Sequence, residues 1–254
     1  MTMQFLKYTS LSLATTLLVA CSSETTDSST VKTEAIWSDI YVTSNGQQSR
    51  VIAELNVSGR NGNNIKLSNG DNLKATVGST VKVLQEDDSD IFDVDYRAVF
   101  DVAVGESEFL VQLNRISENR VLTNTITLPP QYQILAPQAG QLYDKDASLE
   151  LEWTKSSAND QFSIKYHTEC TKKDGSKITS TTNYDNVSDD GDFTINLSDI
   201  ELYKDVQINT EHNCNGSLSL QRLRHGQIDP AYVSNSRTFA TQERRLDNII
   251  ITLN

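Results

Sequence analysis

Residues 92–104 read FDVDYRAVFDVAV, and this stretch decides the fold class. Phe92, Val94, Tyr96, Ala98, Phe100, Val102 and Val104 share one parity, while Asp93, Asp95, Arg97 and Asp101 share the other. A period of two puts the sets on opposite faces of an extended chain, the pattern of a half-buried strand. The same alternation holds for Val51, Ala53, Leu55 and Val57 against Arg50, Glu54 and Asn56, and returns in Phe109, Val111 and Leu113. Leu73 to Leu84 reads as one more alternating strand. Asn45-Gly46, Asn61-Gly62 and Asn69-Gly70 fall between early strands, and such dipeptides accept the positive φ angles of tight hairpin turns. No segment after residue 35 keeps a 3.6-residue apolar stripe, so the expected class is all-β, built from antiparallel sheets.

The chain has 254 residues, 34 acidic and 22 basic side chains, a formal charge of −12 and 37% hydrophobic residues. That length buries a sizeable core without a metal or disulfide merely to fold. The acidic balance excludes bulk electrostatic binding to nucleic acid, which needs clustered Lys and Arg.

The N-terminus reads as an address. Lys7 is the single charge in residues 1–20, and Leu11 to Ala20 form an apolar run. The run is shorter than the roughly 20 residues that span a bilayer, so it reads as a signal-peptide core. It ends in Leu18-Val19-Ala20-Cys21, which resembles the lipobox of bacterial lipoprotein precursors. The resemblance implies cleavage after Ala20, a diacylglyceryl thioether on Cys21 and acylation (palmitate) of the new amino group. Two or three acyl chains hold a protein on a membrane where one does not. Residue 22 is Ser rather than Asp, which in such lipoproteins implies the outer membrane, periplasmic or surface-facing. Losing Lys7 with the signal takes the charge from −12 to −13. Ser22 to Glu34, SSETTDSSTVKTE, holds one apolar side chain, so residues 21–34 read as a flexible tether.

Pro129-Pro130 cannot donate to a sheet ladder and marks a boundary, giving β-sandwiches over residues 35–129 and 130–254. In the second, Leu149, Leu151 and Trp153 alternate on one strand and Phe162, Ile164 and Tyr166 on the next, and Leu197 precedes Tyr203 by six residues. Over roughly residues 134 to 254 this order resembles a fibronectin type III or related immunoglobulin-like domain: Trp on the second strand, Tyr on the third, and a Leu-x5-Tyr corner. The resemblance implies that the Tyr203 hydroxyl bonds nearby backbone. Arg224 to Leu246 departs from the compact pattern, and the first half resembles the same superfold only by strand count and length. With Cys21 assigned to lipid, Cys170 and Cys214 remain, and an exported chain permits a disulfide between them. Cys170 shares parity with Phe162, Ile164 and Tyr166, and Cys214 with Val206 and Ile208, so both face the core if their strands run unbroken.

Motifs of catalysis are scarce. Ser79 and Lys82 match Ser-x-x-Lys, but on a strand they fall on opposite faces, so no catalytic residue is assigned. Cys-x2-Cys spacing is missing, and His167 and His212 differ in parity relative to their cysteines, so no zinc site is assigned. Glu86, Asp87, Asp88, Asp90, Asp93 and Asp95 cluster acidic oxygens that suit Ca²⁺, with Asp88, Asp90, Asp93 and Asp95 as weak candidate ligands and a solvated acidic hairpin as the plainer reading. Asp185, Asp189, Asp190 and Asp192 form a second such cluster. Arg222, Arg224, Arg244 and Arg245, with His225 and Arg237, gather basic charge that suits carboxylate or phosphate groups, or else pairs with Asp229, Glu243 and Asp247. Trp37 and Tyr41 share a parity opposite to Ile36, Ile40 and Val42, so a buried aliphatic row leaves the aromatics outside, where a sugar ring stacks or the other domain covers them.

The expectation is a non-enzymatic envelope lipoprotein without cofactor, a binding or scaffolding module whose partners are the membrane, through its anchor, and an envelope protein or glycan. A carbohydrate-binding accessory protein using Trp37 and Tyr41 is the alternative, and an enzyme of unrecognised type the third.

Overall fold

The computed structural model describes residues 24–89 and 94–254. The expected signal peptide, Cys21, Asp90 and Asp93 lie outside the described residues. The first half contributes β1 (Thr25–Asp27), β2 (Ile36–Ser44), β3 (Ser49–Val57), β4 (Asn64–Lys66), β5 (Asn72–Val77), β6 (Thr80–Val83), β7 (Gln85–Asp87), β8 (Asp95–Phe100), β9 (Glu108–Arg115) and β10 (Arg120–Thr127). The second contributes β11 (Ile134–Ala136), β12 (Leu142–Asp144), β13 (Ser148–Trp153), β14 (Gln161–Thr171), β15 (Lys177–Val187), β16 (Asp192–Asn196), β17 (Cys214–His225) and β18 (Arg237–Thr252).

The fold is all-β with sandwiched sheets. An eleven-stranded sheet runs in the order β1-β4-β3-β2-β18-β17-β14-β15, with β8 on β3, β7 on β8 and β12 on β18. The sheet β10-β9-β5-β6 packs on one half of it and β11-β13-β16 on the other. Period-two alternation becomes alternating burial in β9, β13 and β14. In β2 and β3 the inward Ile36, Ile40, Val42, Val51, Ala53 and Leu55 are fully buried, and several residues of the other face are covered too. They form the first core with Phe100, Phe109 and Leu113, while Trp153, Phe162, Tyr166 and Leu218 belong to the second.

The expected span of 130–254 for the second sandwich is corrected, because the C-terminal hairpin serves both cores. From Arg237↔Asp39 to Gln242↔Ser44, β18 lies parallel to β2, and from Leu142↔Ile250 to Asp144↔Thr252 it lies parallel to β12. The β17–β18 loop returns to the first sandwich. Tyr232 and Ala240 are buried in that core, Thr125 and Gln227 exchange backbone hydrogen bonds of 2.9 and 2.8 Å, and the Val233 amide donates to the Ile36 carbonyl. The same pairings, with β1 parallel to β4, make the large sheet mixed rather than wholly antiparallel.

The expected tether is also corrected for residues 24–34. Arg115 is fully buried at the end of β9, and its guanidinium donates to the Ser28 and Val31 carbonyls at 2.9 and 2.6 Å and pairs with Asp71 at 2.9 Å. Asp71 accepts from the Ser28 hydroxyl at 2.9 Å. Backbone carbonyls satisfying a buried charge hold this segment down, so apolar content has little to do with its order.

Leu73 to Leu84 is a hairpin, not one strand: β5 and β6 pair across Gly78 (φ 55°), with Ser79 in the turn. Asn69-Gly70 has the expected positive φ angles of 52° and 89°, but its turn carries the chain from the large sheet to the four-stranded one. At the Leu-x5-Tyr corner, the Tyr203 hydroxyl bonds the Tyr166 hydroxyl at 2.7 Å and Thr168 Oγ1 at 3.0 Å, side chains rather than the expected backbone.

Cys170 on β14 and Cys214 on β17 form a disulfide, with Cα atoms 4.4 Å apart and both residues buried. It closes a sequence separation of 44 residues, so the Cys170→Ser, Cys214→Ser double variant is expected to lose about 4 kcal/mol in urea denaturation. No change in the transition midpoint would refute this.

Buried tyrosines give an alkaline limit. Burial pushes Tyr96 up to about 12 against an ordinary value of 10.0, and also raises Tyr132, Tyr166, Tyr203 and Tyr232. A phenol whose pKa is raised on folding contributes stability fully present below its unfolded pKa and lost as pH climbs through the folded value. Tyrosinate absorbance is therefore expected to rise cooperatively with loss of near-UV circular dichroism between about pH 10 and 12. Independent titration with the fold intact would contradict it.

Candidate functional site

The outer face of the large sheet, over the first core, brings together the most varied chemistry. Register aligns Arg97 (β8), Ile52 (β3), Tyr41 (β2), Phe239 (β18) and His225 (β17) in one row across five strands. Tyr41 and Phe239 stack with ring centroids 5.3 Å apart and planes 9° from parallel. The row on one side holds Asp95, Glu54, Asp39 and Arg237, and the row on the other Val99, Arg50, Thr43 and Thr241. Two cavities flank the aromatic pair. One of about 380 Å³ is walled by Trp37, Arg60, Asn235 and Arg237, and one of about 240 Å³ by Thr43, Asn45, Arg50 and Ile52.

Arg237 donates to Asp39 at 2.9 Å, while Arg97 bridges Asp87 at 2.6 Å and Asp95 at 2.7 Å. These hydrogen-bonded carboxylates raise the pKa of both guanidinium groups, and burial, then Asp95 and Asp39, raises that of Tyr41. All three shifts lead away from neutrality, so the face suits recognition more than proton transfer. An apolar centre rimmed by these ion pairs and by Arg50 fits a partner surface that makes an apolar contact inside a polar rim.

Trp37 has the expected outward parity, yet it is only 4% exposed. Its indole donates to the Asn235 carbonyl at 3.1 Å beneath the β17–β18 loop, so Trp37 is corrected as a stacking residue. Tyr41 stays half-buried on the face, but Phe239 occupies one ring face and Arg237 lies 5.5 Å over Phe239.

The expected basic patch is likewise corrected. Arg222 shares parity with Leu218 and Leu220 and is fully buried. It grips Asp189 through Nε and Nη2 at 2.7 and 2.8 Å, donates to the Pro130 and Thr154 carbonyls, and lies over the rings of Tyr132 and Phe162 at 4.7 and 5.7 Å. Arg224 chelates Asp160 at 2.7 and 2.9 Å and reaches Glu106 at 2.8 Å. Arg244 donates to the Tyr132 carbonyl at 3.0 Å and lies 5.2 Å from the centroid of that ring, and burial lowers its pKa. Arg224 thus ties Glu106 of the first half to Asp160 of the second, while Arg222 and Arg244 brace the Pro130–Tyr132 segment between the halves against β17 and β18. Arg245 is exposed, pairing with Asp247 at 2.8 Å, and His225 and Arg237 are exposed as well.

Of the acidic candidates, Asp95 is held by Arg97 and Asp88 stands exposed. No group of three or more His, Cys, Asp or Glu converges as a metal set among the described residues. In the second cluster, Asp189 is taken by Arg222 and by the Trp153 indole at 2.8 Å. Asp185, Asp190 and Asp192 line a cavity of about 430 Å³ with Tyr184 and Phe193.

Sequence reasoning missed Phe239, whose place beside Tyr41 depends on a parallel pairing that no local pattern announces. It also missed Arg115 and Asp71. Arg115 shares parity with Phe109, Val111 and Leu113, a signal that was present.

No protein-family model matches the chain, and no curated protein matches it in sequence. Among solved structures, fibronectin(III)-like modules of Clostridium thermocellum CbhA match at 10% identity, covering 82% of this chain and 88% of that one, with a TM-score of 0.21. A cytokine receptor complex matches at 10% identity over 82% and 94%, with a TM-score of 0.27. Chicken CNTN1 FN1-FN3 domains match at 11% identity over 84% and 65%, with a TM-score of 0.21. Such TM-scores are too low to carry a family assignment; the sandwich architecture stands on the sheets themselves.

Proposed function

We propose that this chain is an exported, non-enzymatic lipoprotein, anchored through Cys21 to the outer membrane and acting as a rigid binding or scaffolding module in the cell envelope. The observation that carries the reading is the shared hairpin. A 16-residue β18 running through both sandwiches, with Arg224 tying Glu106 of the first half to Asp160 of the second, makes the body one stiff unit rather than two hinged domains. A rigid two-sandwich body suits holding a partner in place. The Cys170–Cys214 disulfide supports export to an oxidising compartment. The Leu18-Val19-Ala20-Cys21 run supports the anchor.

An envelope protein is the favoured partner over a glycan, because Trp37 is covered and the Tyr41–Phe239 stack with Arg237 over Phe239 takes up most of the ring surface a sugar would use. The test has two arms. Cells producing the wild type are expected to label it with a palmitate analogue and hold it in the membrane fraction, and Cys21→Ser is expected to lose both. Immobilised wild type is expected to retain an envelope protein that the Arg50→Glu, Phe239→Ala variant does not. Label persisting in C21S overturns the anchor, and equal capture by both proteins overturns the binding face.

A further inference from the structure

A sheet edge is a row of unpaired N–H and C=O groups, and natural proteins shorten, cover or charge such edges. Most edges among the described residues follow that rule. β1, β7, β11 and β12 have three residues each, and β16 has five. β6 has four, with Lys82 in its middle. β10 is covered by the β17–β18 loop, through the Thr125–Gln227 bridge and the Thr123 amide donating to Asp229.

β15 departs from the rule. It has eleven residues, KITSTTNYDNV, stands last in the order of the large sheet and pairs only with β14. Among the described residues, no backbone group from Ile178 to Asn186 bonds anything outside that ladder. Its ladder runs in unbroken register from Thr171↔Lys177 to Ile164↔Tyr184, before a bulge at Asp185-Asn186 where Asn186 takes a φ of 55°. Lys177, Thr179, Thr181, Asn183 and Asp185 are all exposed on it.

The strand is also complementary to itself. Placed antiparallel to a second β15 about Thr181, it opposes Lys177 with Asp185, Ile178 with Tyr184, Thr179 with Asn183 and Ser180 with Thr182. Opposite charges at the ends, an aromatic–aliphatic pair and hydroxyl or amide pairs between them are the combinations that stabilise directly opposed cross-strand neighbours. Shifting the axis to Ser180 pairs Lys177 with Asn183 and loses the charge match. We propose that β15 is the interface of an isologous two-fold dimer, in which a second copy of this chain continues the large sheet edge to edge about Thr181. The pairing uses groups of the folded body alone and stands independently of the lipid anchor and of the Tyr41–Phe239 face.

Disulfide trapping in the full mature chain, purified in detergent, tests both contact and register. Directly opposed residues bring Cβ atoms within about 5 Å, near the span of a disulfide. Thr181→Cys is therefore expected to give a covalent dimer under mild oxidation. Thr179→Cys and Asn183→Cys each remain monomeric alone, since four residues of offset separate like positions by about 13 Å, and cross-link when mixed. T181C staying monomeric under oxidation that cross-links the mixed pair, or no cross-link in any of the three samples, overturns the proposal. So does T179C alone cross-linking as readily as T181C, or T181C joining only a protein of different mass.

Discussion

A fragment of residues 24–129 is expected to stay unfolded, although it carries every strand up to β10. Without residues 237–242, β2 loses its neighbour along six register pairs and becomes a bare edge through the middle of the large sheet. Tyr232 and Ala240 leave the first core, and the cover over Trp37 goes with them. Losing a buried aromatic alone costs about 3–5 kcal/mol, a large part of the 5–15 kcal/mol that typically holds a domain together. The fragment is expected to show poor amide dispersion by NMR and no cooperative urea transition, whereas the intact chain unfolds in one transition. A cooperative transition for residues 24–129 would sink the idea that the first sandwich depends on the C-terminal hairpin.

Arg222→Met in the intact chain is expected to cost about 3–5 kcal/mol, because removing one member of a buried pair strands the other. Asp189 would keep only the Trp153 indole, and the Pro130 and Thr154 carbonyls would each lose a donor. The methionine fills part of the space between Tyr132 and Phe162 but brings no charge to their faces. Adding Asp189→Asn should recover part of the loss, since it removes the stranded charge. Urea midpoints of wild type, R222M and the double variant decide it. A loss below about 1 kcal/mol for R222M would mean that water reaches Asp189 and the pair is not sealed from solvent.

Much of the fold was legible because half-buried strands write their faces into alternate residues. The parity of Cys170 with Phe162, Ile164 and Tyr166 foretold its burial. That of Cys214 with Val206 and Ile208 did not apply, because β17 begins only at Cys214 and Val206 is exposed; Cys214 is buried on the parity of Leu218 and Leu220 instead. Parity said nothing of which strands are neighbours. The pairing of β18 with β2 joins residues 198 apart, such as Arg237 and Asp39, and a parallel contact has no turn dipeptide to betray it. Trp37 was read as outward, and it is; the loop that covers it arrives from residues 233–235. The arginines misled because charge was counted by residue type, when Arg222 sits on the apolar parity of its own strand beside Leu218 and Leu220. Residues 24–34 misled for a related reason: what orders them is Arg115, on another strand, whose carbonyl acceptors are invisible in side-chain composition.

The parallel alignment of β2 and β18 also decides how the molecule carries tension. The chain enters β2 from the N-terminal side, and β18 leaves toward the second sandwich, yet the starts of the two strands lie side by side. A pull between the N-terminus and the second sandwich therefore drags them in opposite directions along their common axis. Their hydrogen bonds are loaded in shear, all at once, rather than peeled apart one after another from an end. A body held at its N-terminus and gripped by a partner at its far sandwich would thus meet force with the whole ladder.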